Sequence, residues 1–120
     1  MKPTQEQVEK FWRWCGFKPI SDDAPFYENP NGDIYYDHVG RSTLPPLDLN
    51  NLFKWAVPKV YAMDNFWLID YQLTALAKTM DITGHSWSIL FNGEGRGCHG
   101  TDEDPALALF WAIYNVMEGQ

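Results

Sequence analysis

The chain has 120 residues, of which 45% are hydrophobic and 21% charged. That composition is too apolar for intrinsic disorder, and the length suits a single domain spanning 1–120. Nine Lys and Arg stand against 16 Asp and Glu, a net charge of −7, which argues against a domain that wraps nucleic-acid phosphates. No apolar run approaches the roughly 18 residues of a membrane span. Glu6 and Glu9 interrupt the first fifteen residues, so no secretory signal is expected there. Two isolated cysteines, Cys15 and Cys98, are too few for a secreted disulfide scaffold and fit a reducing cytoplasm. Nineteen aromatic rings (seven Phe, six Trp, six Tyr) are many for one small core, and some are expected to serve as anchors for a partner.

The first predicted element is a helix over Thr4–Cys15. Thr4 and Gln7 make a capping box, and Val8, Phe11, Trp12 and Cys15 form one apolar stripe. Gly16 suits the left-handed position after the helix, and Pro19 stops its continuation. Trp14 lies off the stripe. A β-hairpin follows over Phe26–His38, turning at Asn29-Pro30-Asn31-Gly32-Asp33. From Ser21 to Gly40 the chain carries Asp22, Asp23, Glu28, Asp33 and Asp37 with no Lys or Arg. Such a run serves either as a solvated hairpin edge that discourages strand pairing or as an acidic patch for a basic partner.

Pro45-Pro46 breaks the chain. Asp48 then caps a helix through Ala56, with Leu49, Leu52, Phe53, Ala56 and Val57 as its apolar stripe. Pro58 is expected to end it. Trp55 again falls off the stripe. Phe66–Ile69 reads as a strand, and alternation at Tyr71, Leu73 and Ala75 carries it to about Leu76, against the helical pull of Ala and Leu. Gly84 is read as a turn. Trp87–Phe91 forms the next strand, Asn92-Gly93 a hairpin turn, and Glu94–Thr101 a glycine-weakened edge strand. The last helix starts at Asp104, with Pro105 in its first position and Asp102 and Glu103 favouring its positive end. Ala106–Tyr114 is apolar on all sides, which requires burial on more than one face. The elements together make an α+β fold: a small antiparallel β-sheet packed with about three α-helices.

Gly95-Arg96-Gly97-Cys98-His99-Gly100 matches the spacing of a dinucleotide-binding loop. The next helix begins five residues later behind three carboxylates, and no second strand with a ribose-binding acid follows, so that reading is rejected. Cys98 is the one nucleophile candidate. Adjacent His99 points to the opposite strand face, which leaves His85 as its potential base. His38, His85, His99, Cys15 and Cys98 show no metal-ligand spacing, so neither metal nor cofactor is expected.

Three segments, Phe11-Trp-Arg-Trp-Cys-Gly-Phe17, Leu44-Pro-Pro-Leu-Asp-Leu-Asn-Asn-Leu-Phe-Lys-Trp-Ala-Val-Pro-Lys59 and Asp104-Pro-Ala-Leu-Ala-Leu-Phe-Trp-Ala-Ile-Tyr114, resemble small phage and prophage proteins of the phage ABA sandwich domain family. The resemblance implies a helix–sheet–helix sandwich, a phage origin, expression in the cytoplasm of a bacterial host and an accessory rather than a virion role. It carries over no catalytic motif.

Three functions are weighed. The first is a non-catalytic binding module that inhibits a host defence or nucleic-acid-acting protein through Trp14, Asp22, Asp23, Asp33, Asp37 and Trp55, its negative charge steering it to a basic cleft. The second is a small-ligand or nucleotide binder, with Arg96 as phosphate fork and His99 in the same loop. The third is an enzyme using Cys98; it ranks last because nothing supplies nucleophile, base and orienting group together. The last helix and the off-stripe tryptophans suit self-association as a homodimer, while a tightly covered monomer explains the helix equally well; direct nucleic-acid or membrane binding is not expected.

Overall fold

The computed structural model describes residues 1–20, 26–36, 40, 43–75, 83–92 and 96–119, with the backbone alone for 74, 75 and 83. The fold is α+β. The chain divides into two compact units, Pro3–Pro46 and a larger one made of Met1–Lys2 with Leu47–Gln120.

In the smaller unit α1 spans Gln5–Cys15. Thr4 Oγ1 accepts from the Gln7 backbone, and the Gln7 side chain accepts from the Thr4 N–H, so two otherwise orphaned donors are satisfied together. Phe11, Trp12 and Cys15 are buried, which bears out most of the predicted stripe. The helix closes at Gly16, whose N–H donates to Arg13 O and Trp12 O. Three two-residue strands follow: β1 (Lys18–Pro19), β2 (Tyr27–Glu28) and β3 (Ile34–Tyr35), antiparallel in that order. The predicted hairpin is present, with Tyr27 opposite Tyr35. Asn29 Oδ1 shapes its turn by accepting from the Asn31 and Asp33 backbones. Phe17 packs edge-on against Trp12 and Tyr35, at 5.4 Å in both cases.

In the larger unit Asp48 caps α2 (Leu49–Asn51) by accepting from Asn51 N–H. The helix continues through a π-helical turn, Leu52–Ala56, into α3 (Val57–Tyr61). The expected stop at Pro58 is therefore corrected. A proline inside an α-helix lacks one N–H and drives its ring into the carbonyl four residues back. Here the wider turn, marked by the bond from Val57 N–H to Leu52 O, lets the rod continue past Pro58 to Tyr61. The altered phase also places Phe53 at the surface, 46% exposed, instead of in the predicted stripe.

Three antiparallel strands in the order β4-β5-β6 form the main sheet: β4 (Phe66–Ala75), β5 (Thr83–Phe91) and β6 (Arg96–Asp102). Alternation wins over helix propensity in β4, as expected. Gly84, expected as a turn, lies inside β5 opposite Thr74. Its φ of +124° and the Asp102 carbonyl, 2.5 Å from where a Cβ would sit, require glycine there. The predicted turn residue Asn92 has φ +56°; Gly93, Glu94 and Gly95 lie outside the described residues.

The strand pairings put Ile69, Tyr71, Trp87, Ile89, Cys98 and Gly100 on one face. Helix α4 (Pro105–Glu118) packs on this sheet. Asp104 caps it by accepting from Ala106 N–H. Ala106, Ala108, Leu109, Phe110, Ala112, Ile113, Val116 and Met117 are all buried, which is the many-sided burial expected of this helix. Asp102 precedes the cap. Its carboxylate pairs with the Met1 amino group and accepts from Asp104 N–H, and Trp111 Nε1 donates to Met1 O. No helix among the described residues is long and apolar enough to cross a membrane.

Candidate functional site

A cleft of about 370 Å³ opens in the larger unit where the end of β5, the start of β6 and the last turn of α4 meet. Phe91 comes from β5, Arg96, Gly97 and Cys98 from β6, Val116 and Gly119 from the end of α4, and Met63 and Asn65 from the segment before β4. Its size falls within the ordinary range of small-molecule pockets, roughly 300–1,000 Å³. The antiparallel pairs Ile89–Cys98 and Phe91–Arg96 put the Arg96 and Cys98 side chains on the helix-covered face. Arg96 is the single charged side chain among the described lining residues, beside the Asn65 amide, the Cys98 thiol and apolar Met63, Phe91 and Val116. It makes no ion pair with any described carboxylate. The carbonyl end of α4 opposes an anion here by about 0.3–1 kcal/mol. A full guanidinium charge with a two-pronged donor set outweighs that.

Burial pushes the Cys98 thiol up, and the Arg96 guanidinium pulls it partly back, so the thiol ends above its ordinary value. It is therefore protonated at neutral pH and a poor nucleophile. The strand register also removes its potential base. His85 sits opposite Asp102, four residues from Ile89, the partner of Cys98. At the rise of a strand that is roughly 13 Å. The His85 ring instead stacks on Tyr71 at 5.8 Å, with Nδ1 against the Tyr71 hydroxyl.

The two residues expected to share a ligand loop are separated. Arg96 lines the cleft, whereas His99 points to the opposite sheet face, where its Nδ1 meets Ser88 Oγ at 2.9 Å. The glycine spacing is not a phosphate loop: from Arg96 onward the segment is strand β6, and Gly100 is set by packing against α4. Of the proposed acidic surface, Asp33 is exposed at the hairpin turn and Trp14 is half-buried on α1, both in the smaller unit. Trp55 is half-buried in the larger unit, under the Lys54 ammonium at 5.0 Å. Asp22, Asp23 and Asp37, like His38, lie outside the described residues. Among the described residues no group of three His, Cys, Asp or Glu is placed to hold a metal ion.

Met63, Asn65, Val116 and Gly119 were invisible as site residues. Val116 reads as core from its helix pattern, and Asn65 lies in a segment without a motif; only the tertiary packing brings them to Arg96. The exposed apolar residues of β4, Trp67, Leu68, Tyr71 and Leu73, read from sequence only as strand formers. Comparisons of the chain with protein-family models, with curated proteins and with solved structures find no match.

Proposed function

We propose that the protein is a non-catalytic binding protein whose cleft takes a small organic anion with a compact apolar body. One observation carries this reading: in a chain of net charge −7, the cleft collects Arg96 and no carboxylate among its described lining residues. Arg96 supplies the fork for a carboxylate or phosphate, Asn65 a further polar contact, and Met63, Phe91 and Val116 the apolar wall. Phe91 is the single aromatic among the described lining residues and is 9% exposed, so a nucleobase finds no stacking pair there. This narrows the ligand to something smaller than a nucleotide.

Native mass spectrometry of protein freshly purified from a bacterial lysate tests for a carried ligand, expected as a discrete extra mass. Titration with phenyl phosphate and with benzoate, followed by amide NMR, tests the site. Shifts confined to Gly97, Cys98, Val116 and Gly119 and abolished by Arg96→Gln support the reading. Saturable binding unaffected by Arg96→Gln, or no binding at millimolar probe, overturns it.

A second reading is an accessory protein of phage origin that docks a host protein. Two exposed aromatics favour it: Phe53 and Tyr71 both pack on the buried Trp87, at 5.6 Å and 4.6 Å, so their outward faces are held in place as aromatic anchors of the kind found at interfaces. Its test is whether Phe53→Ser removes binding to a captured host protein without changing the fold.

A further inference from the structure

Strand β4 is the outer strand of its sheet, and among the described residues no strand pairs with its far side. It is ten residues long. Asp70 is its one charged residue, and it presents Trp67 (61% exposed), Leu68 (43%), Tyr71 (41%) and Leu73 (66%). Natural sheets blunt such edges by keeping them short or by placing lysine, proline or inward charges on them. Beyond Asp70 and a bulge at one end, β4 has none of these devices. We propose that β4 pairs antiparallel with β4 of a second copy of this chain, about a twofold axis through Tyr71, giving a six-stranded sheet.

The register follows from symmetry and charge. Directly opposed residues of antiparallel strands share a face, so a twofold axis perpendicular to the sheet must pass through a residue position rather than between two. The bulge between Phe66 and Leu68 ends the regular ladder at Leu68, because a bulged residue has no direct partner. Centring on Asp70 sets that carboxylate against its own copy, and like charges directly opposed destabilise. Centring on Gln72 leaves exposed Leu68 outside the ladder. Centring on Tyr71 pairs Leu68–Thr74, which keeps Leu68 inside the ladder and leaves out only Ala75 at the other end. Ile69 then faces Leu73 of the second copy, and Asp70 faces Gln72. Within one chain Gln72 Nε2 already reaches Asp70 Oδ2 at 3.5 Å, so the axis gathers two carboxylates and two amides into one cluster in which each carboxylate has an amide donor at hand.

The charge of −7 on each copy opposes this association, and salt screens that opposition. The dimer therefore tightens as salt rises. A cationic partner on the same edge weakens instead, which separates the two occupants.

Sedimentation equilibrium of the full chain, up to about 500 µM and between roughly 0.05 and 0.5 M NaCl, reads this directly. The expected result is a monomer–dimer equilibrium between 13.9 kDa and twice that mass, shifted toward dimer by salt. Gln72 is exposed, so its variants retain the fold, which near-UV circular dichroism checks. Gln72→Asp places like charges opposite Asp70 twice per dimer and weakens association roughly 3- to 10-fold. Gln72→Lys places opposite charges there twice and tightens it by a similar factor. A single 13.9 kDa species at the highest protein and salt concentrations overturns the proposal. So does a dimer that Gln72→Lys weakens or leaves unchanged. Neither outcome bears on the Arg96 cleft, which rests on different residues.

Discussion

Gly100 of β6 and Ala108 of α4 meet backbone to backbone: a Cβ at Gly100 would stand 2.0 Å from the Ala108 carbonyl oxygen and 2.3 Å from the Ala112 nitrogen. Neither neighbour is a flexible side chain, so the helix itself must move. Gly100→Ala is expected to lower stability by about 3 kcal/mol or more, at the upper end of overpacking costs. Gly97→Ala on the same strand meets the Leu90 methyl at 3.1 Å and Ile89 O at 3.2 Å, and is expected to cost about 1 kcal/mol. Urea unfolding of both variants checks the contrast; similar midpoints would contradict it.

Burial pushes the Asp102 carboxyl up. Hydrogen bonds from the Met1 amino group and from the Asp104 and Glu103 N–H groups, with the charge of that amino group, pull it down further, so it ends below the ordinary carboxylate value. A group whose folded pKa lies below its unfolded value stabilises the fold at neutral pH. That contribution is lost as pH falls from the unfolded value, about 3.9, through the folded one. Asp102→Asn is therefore expected to lower the urea midpoint at pH 6. The gap to wild type should close when both are unfolded near pH 2.

The two influences on Cys98 have opposite signs, which makes them separable. Arg96→Gln removes the influence that lowers the thiol pKa and leaves the burial that raises it. The iodoacetamide reaction of Cys98, followed by mass spectrometry, is expected to be slow at pH 7, and its pH–rate profile should move to higher pH in the variant. A profile that moves to lower pH, or stays fixed, would show that the guanidinium does not act on the thiol. Buried Cys15 provides the unreactive internal control.

Asp104 gives α4 its first hydrogen bond, to Ala106 N–H at 2.9 Å, and sits two residues after Asp102. Asp104→Ala is expected to cost about 1 kcal/mol, the usual worth of an N-cap. Asp104→Asn keeps the acceptor and should cost much less. Thermal unfolding of the pair distinguishes the hydrogen bond from the charge, since a purely electrostatic role at the helix start would make the two variants equal.

The local chemistry of caps and turns was legible in the sequence. Thr4, Asp48 and Asp104 each cap the helix they were expected to cap, because an N-cap depends on residues within one turn. The alternation of β4 and the all-round apolar surface of α4 were legible for the same reason. What was not legible depends on partners distant in sequence. Pro58 looked like a stop because a π-turn leaves no simple signature. Gly84 looked like a turn residue and Gly100 like a weak point of an edge strand, since nothing local says that Asp102 and α4 crowd them. The candidate site shows the same division. Arg96 was visible as a charge in a glycine-rich stretch, but Asn65 and Val116, from segments 31 residues before and 20 after it, join it only through the meeting of β6 with α4. His99 was assigned to the same place by adjacency, and the strand period sends it to the other face.

The two borders of the main sheet are unlike, and that asymmetry bears on polymerisation. A sheet with two receptive borders adds copies without end and grows into a fibre. Here β4 offers a long apolar border, whereas β6 carries Gly97 and Gly100, with Arg96 at its start and Asp102 at its end, a weak template for another strand. A head-to-head union at β4 uses the receptive border of both copies and leaves two poor ones outside. In the proposed dimer growth would halt at a closed pair, and an adhesive strand would be kept without the hazard of a filament.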